Sequence, residues 1–147
     1  MLDSFLKLRK NVLVYTHTEM NLELQRDDQV YIAVVDIPTH SGIVGNEYMS
    51  LAMIFGLNCH IYFSNGDVMT NLEEDSKVMS AMQSMLISSH QAIKSMELTE
   101  HTDFSYPKNR QVFLKTAKGI YYKEIGDDKI SLFLNMMIDN VLKCIGE

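Results

Sequence analysis

The residues able to do chemistry in this 147-residue chain are few and scattered. The histidines are His17, His40, His60, His90 and His101, and the cysteines are Cys59 and Cys144. A structural or catalytic metal needs three or four converging ligands, usually including a closely spaced pair. There is no His-x-x-His or Cys-x-x-Cys, and the adjacent Cys59 and His60 would point to opposite faces of a strand. No metal and no other cofactor is therefore expected. Ser41, in Thr39-His40-Ser41-Gly42, lacks the Gly-x-Ser-x-Gly setting of a nucleophile elbow. The carboxylate clusters Glu73-Glu74-Asp75 and Asp127-Asp128 sit where helices should begin, so capping accounts for them.

One stretch holds two readings. In "HIYFSNGDVMTN" (60–71) an alternating apolar run meets Ser64-Asn65-Gly66-Asp67 shortly before a helix start. Such a loop either reverses the chain or offers backbone amides to an anion at a helix N-terminus. No Gly-Lys-Ser/Thr follows, which excludes a P-loop, and the nearby acids Asp67, Glu73, Glu74 and Asp75 would repel phosphate. Of the two alternatives the structural turn is preferred, with Gly66 at positive φ. Ser64, Asn65, Gly66 and Asp67 are the candidate ligand-binding residues of the other.

The elements that must position these residues come next. Gln29–Ile37 (QVYIAVVDI) reads as a strand stopped by Pro38, followed by a loop over 38–46. Residues 48–55 and 60–64 flank "GLNC" as one antiparallel hairpin, and 111–116 and 120–125 flank "AKG" as a second, with Gly119 at its turn. Two helices are predicted. One has capping boxes at Thr70/Glu73 and Asn71/Glu74 and an apolar stripe Val78, Met82, Met85, Ser89, Ile93, Met96. The other is capped by Asp127 or Asp128 and buries Ile130, Phe133, Leu134, Met137, Ile138, Val141, Cys144 and Ile145. Residues 2–10 suit a short amphipathic helix carrying Leu2, Phe5, Leu6 and Leu8, and 11–18 read as a strand or as that helix continued, with strand preferred. The expectation is one α+β domain over 1–147, in the order helix-βββ-helix-ββ-helix, with an antiparallel sheet of about five strands and helices on one face. Residues 1–28 would form a peripheral extension. The type III secretion chaperone fold has the same element order.

Val30–Asp36, Ser50–Met53 and Ile61–Gly66 together resemble a family of small uncharacterised bacterial α+β proteins with an "SLYFSNGGG"-like motif, here "HIYFSNGD". Tyr106-Pro107 and the later strand pair fall in the corresponding order. Asp67-Val68-Met69 replace the family's glycines. The resemblance implies the element order and no activity, substrate or cofactor.

Bulk properties restrict the partners. A net charge of −6 without a Lys/Arg cluster leaves no electrostatic footprint for nucleic acid. Lys7, Arg9 and Lys10 are the densest basic group and read as the solvated face of a helix. No apolar run is long enough to span a bilayer, and the charges near the start interrupt any secretory h-region. A cytoplasmic, reduced protein with free Cys59 and Cys144 is expected. Ile87, Leu132, Met136 and Leu142 fall outside the apolar stripes, and Leu132 and Met136 lie one turn apart as a contiguous patch. A patch of this kind marks an interface, most simply with a second copy across a two-fold axis. The sequence-based reading of function is a non-enzymatic interaction or accessory protein, homodimeric or bound to another protein. A small-ligand sensor with a pocket between sheet and helices is the alternative, and a small enzyme using loops 38–46 and 64–67 is the second.

Overall fold

The computed structural model describes residues 2–40 and 46–146. Three helices, α1 (Leu2–Val14), α2 (Ser76–Ser88) and α3 (Lys129–Gly146), enclose one antiparallel sheet. The strands are β1 (Ile32–His40), β2 (Asn46–Ile54), β3 (Asn58–Phe63), β4 (Val68–Met69), β5 (Glu97–Thr99), β6 (Gln111–Thr116) and β7 (Gly119–Glu124). Their spatial order is β4-β3-β2-β1-β6-β7-β5. The sheet has seven strands rather than about five. The two unforeseen ones, β4 and β5, are two and three residues long and close the two edges. Edge strands this short limit pairing with other chains.

Alternation along β1 sorts the core into two layers. Ala33, Val35 and Ile37 pack with Val78, Met82, Met85 and Leu86 of α2 and with Leu134, Ile138 and Val141 of α3. Ile32 and Val34 point the other way, toward Phe5, Val12 and Leu13 of α1. The two long helices therefore share a face as expected, but the expectation of helices on one face only is corrected. α1 covers the other face because Phe5, Arg9, Val12 and Leu13 form a buried stripe at helical spacing. Residues 11–14 continue this helix instead of forming a strand. Val12 and Leu13 are satisfied by packing on the sheet while Val14 stays exposed, and that packing overrides β-propensity.

Proline does not stop β1, which continues through Pro38 to His40. Tyr48, opposite Pro38, directs its own N–H and C=O to Ser64 on β3. Pro38 is thus in a non-hydrogen-bonded pair, and its missing N–H faces the side that β6, ending its pairing at Asp36, does not reach. Residues 38–40 and 46–47 are therefore strand, and the remaining loop positions, with Ser41, lie outside the described residues.

The helix starts also differ in detail. Asp75 is the N-cap of α2, accepting from the Lys77 N–H at 2.8 Å. Thr70 and Asn71 do not build the expected capping boxes. Glu73, in a 3-10 turn over Leu72–Glu74, accepts instead from the Cys59 N–H at 3.1 Å, tying that turn to β3. After Ser88 the chain tightens into a 3-10 segment, Ser89–Ser95, in which Ser89 remains buried. Asp128 begins α3 as predicted, accepting from the Ser131 N–H at 3.2 Å and its hydroxyl at 2.6 Å. The Ser131 hydroxyl, foremost, holds the Asp128 carboxyl down at about 2.

Candidate functional site

Among the described residues, polar side chains converge most densely on the α1 face of the sheet. The register sets Ser50 of β2 and Gln111 of β6 on either side of Asp36 of β1, forming one row across three strands. All three are buried, and Arg9 reaches down to them from α1 while itself only 2% exposed. Its Nε and Nη2 donate to the two Asp36 oxygens at 2.9 and 2.7 Å. Ser50 Oγ donates to Oδ1 at 2.6 Å and Gln111 Nε2 to Oδ2 at 2.8 Å. Arg9 Nη1 donates to the Thr102 carbonyl at 2.6 Å. Its guanidinium carbon lies 5.1 Å from the Phe113 ring centre and 5.7 Å from that of Phe104, close enough for cation–π attraction.

The chemistry of this cluster follows from its occupancy. An ionised carboxylate has about four acceptor sites, and four donors fill those of Asp36. No lone pair is left for taking a substrate proton. A bidentate pair with further hydrogen bonds is what makes a buried ion pair tolerable, and this one joins α1, three strands and the segment at Thr102. Phe104 closes the cluster from above, edge-on to Phe5 at 5.2 Å, to Tyr48 at 5.0 Å and to Tyr106 at 4.8 Å. Tyr106 holds φ at 54°, a costly conformation for an aromatic residue. A hollow of about 160 Å³ lies beside Arg9 and Phe104, lined also by Lys10 and Asp103 among others. A second clamp holds the end of α1, where Lys115 Nζ donates to the Leu13 and Tyr15 carbonyls at 2.7 Å each. Burial lowers the Lys115 pKa.

Sequence reasoning placed Arg9 on a solvated face and passed over Asp36. Two signals were available: Asp36 is the lone charge in an otherwise apolar strand, and Arg9 falls one turn after Phe5 and three residues before Val12.

The sequence-predicted candidates are not brought together. Ser64-Asn65-Gly66-Asp67 is the turn of a hairpin between β3 and β4, with Tyr62 opposite Val68. Gly66 has φ 100°, the positive value that the turn alternative requires. Three of its four backbone amides are used within the turn or by β2: Ser64 N–H to Tyr48, Gly66 N–H to Phe63, and Asp67 N–H to the Asn65 side chain. The Ser64 hydroxyl accepts from the Tyr48 N–H at 3.0 Å. β4 and the 3-10 turn separate this loop from α2, so it does not sit at that helix's N-terminus.

Of the interface candidates, Ile87, Leu132 and Met136 are 59%, 59% and 62% exposed. Leu142 is instead half-buried against the core, because its position on α3 falls at the border of the buried face. Ile87 is remote in kind from the α3 pair. It lines a separate hollow of about 210 Å³ with Val30, Phe55, Gln25, Arg26 and Gln29. Cys59 and Cys144 are free thiols, and burial, with Glu73 nearby, pushes the Cys59 thiol up to about 12. Three histidine rings have local contacts: His60 Nδ1 accepts from the Asn71 N–H at 3.1 Å, His17 packs edge-on against Tyr31, and His90 Nδ1 lies 2.8 Å from the Ile87 carbonyl oxygen. No helix among the described residues is long and apolar enough to cross a membrane.

Protein-family models, curated proteins and solved structures provide no match to this chain.

Proposed function

We propose that the chain is a non-enzymatic cytoplasmic interaction or accessory protein that associates with a second copy of itself. The observation that carries this reading is the pair Leu132 and Met136, one turn apart on α3 and more than half exposed. Adjacent large apolar side chains held in water by a well-packed helix favour a partner that covers them. The filled hydrogen bonding of Asp36 agrees with this reading, because the densest polar cluster then serves architecture. The element order read from the sequence, which resembles that of type III secretion chaperones, adds an arrangement and no activity.

Sedimentation equilibrium over a wide concentration range tests the reading. The wild type is expected to show reversible dimerisation, and Leu132→Glu is expected to be a folded monomer. A wild type that is monomeric throughout refutes it. The hollow lined by Val30, Phe55 and Ile87 favours the second reading, a small-ligand sensor. A thermal-shift screen that found a small apolar ligand, with the shift lost in Ile87→Asp, would support that alternative, since a ligand binding only the folded state raises its apparent stability.

A further inference from the structure

Resting on self-association through α3, we propose that two copies pair this helix antiparallel about a two-fold axis beside position 134. Leu132 then meets the partner's Met136, and Lys129 meets the partner's Asp139. Helical spacing places Lys129, Leu132, Met136, Asp139, Asn140 and Lys143 on one face of α3, and all six are exposed. The opposite face is the buried one, carrying Leu134, Ile138 and Val141. The outward face is therefore a continuous strip with an apolar centre and charged ends.

The sign and position of those charges select the geometry. Leu132 and Met136 are two residues either side of position 134, and Lys129 and Asp139 are five residues either side. A two-fold axis at 134 thus superposes unlike partners in both sets at once. The charged pairs fall about 7.5 Å along the helix from the axis, on either side of the apolar contact, and the length of a lysine side chain spans the sideways offset. A parallel pairing in register would oppose Lys129 to the partner's Lys129 and Asp139 to the partner's Asp139. Sliding the antiparallel pair by two turns would set Leu132 on the partner's Lys143 and Met136 on the partner's Asp139. Only the register centred at 134 joins apolar to apolar and cation to anion, the same logic by which flanking charges fix orientation in helical pairs.

Asp139 already bonds Arg110 at 2.7 Å, yet its side chain remains 58% exposed and accessible to a second cation. Arg110 offsets part of its charge, so each intermolecular pair acts as a modest, salt-sensitive contact. A contact made by one helix from each copy is at the small end of protein interfaces. Association should therefore be reversible and concentration-dependent.

The experiment is a charge swap in trans, read by sedimentation equilibrium at low salt on the full chain. Lys129→Glu alone opposes Glu to Asp139 twice in each dimer, and Asp139→Lys alone opposes Lys to Lys129 twice. Each should raise the dimer dissociation constant roughly tenfold, as two exposed ion pairs turn from attraction to repulsion. An equimolar mixture of the two variants should return to about the wild-type constant, because the mixed dimer has opposite charges at both ends. Circular dichroism melts of each variant establish that both are folded. If the wild type dimerises but the mixture associates no better than the separate variants, the register is wrong while self-association stands. If the wild type does not associate, both fail together.

Discussion

The two faces of the sheet are held to their helices by different physics. On one face α2 and α3 pack on the strands through a wholly apolar centre, with Met82, Met85 and Leu86 filling the space beside Leu134 and Ile138. Polar contacts such as Arg110 to Asn135 and Asp139, or the Gly56 N–H to Gln83, lie only at its margins. On the other a single helix, α1, is fastened by directional bonds: Arg9 to Asp36 at its middle and Lys115 to its last carbonyls. Two helices packed side by side exclude water from each other and from the sheet, so shape and area suffice. A lone 13-residue helix has less area to offer, and a hydrogen-bonded ion pair adds one permitted position and orientation. Apolar packing tolerates replacement, whereas a filled charge network does not. Four predictions test that contrast.

The largest effect is expected from Arg9→Met. It leaves the Asp36 carboxylate buried without its cation and should destabilise the fold by about 3–5 kcal/mol in urea unfolding. The double variant Arg9→Met/Asp36→Leu removes both charges and should recover part of that loss, the remainder persisting because the buried Ser50 hydroxyl and Gln111 amide lose their acceptor. A double variant as unstable as the single one would mean that packing, not charge, fastens α1. On the apolar face, Met82→Leu conserves volume and should cost less than about 1.5 kcal/mol despite complete burial. A cost equal to that of Arg9→Met would erase the distinction between the faces.

Gly66→Ala probes the edge of the sheet rather than either helix layer. At φ 100° an alanine is strained, and the loss should be about 1 kcal/mol, with Asp67→Ala smaller. The smallest effect belongs to an exposed carboxylate, the counterpart of buried Asp36. Asp128 is depressed to about 2 from 3.8, chiefly by the Ser131 hydroxyl. Its contribution is present above the unfolded value near 3.8 and is lost as pH falls through about 2. Asp128→Asn should therefore lower the melting temperature slightly at neutral pH and reduce the acid sensitivity between pH 4 and 2, followed by circular dichroism.

How much was legible depended on how local each cause is. The hairpins around Gly56 and Gly119 and the turn at Gly66 were readable because a backbone at positive φ needs glycine at that very position. The inner faces of α2 and α3 were readable because burial of Val78, Met82 and Met85 repeats with the helical period. β4 and β5 were not, because two or three residues carry no periodicity and become strands only when β3 and β7 lie alongside. The cap at Asp75 was misread as a capping box at Glu73, since Glu73 has a better partner in the Cys59 N–H, fourteen residues away. Of the residues proposed as an interface, Leu132 and Met136 were found by their place outside the stripe, while Leu142 needed its packing to be seen.

By itself the sequence determined the class of the protein: an antiparallel α+β domain with two amphipathic helices packed on one face of its sheet. Local conformational preference and hydrophobic period act along the chain and need no knowledge of distant residues. Only the tertiary structure decided that α1 covers the opposite face, that Arg9 is buried, and that Asp36 stands in a row with Ser50 and Gln111. A charge can enter the core only where its partners are already assembled, and those of Asp36 lie 27, 14 and 75 residues away along the chain.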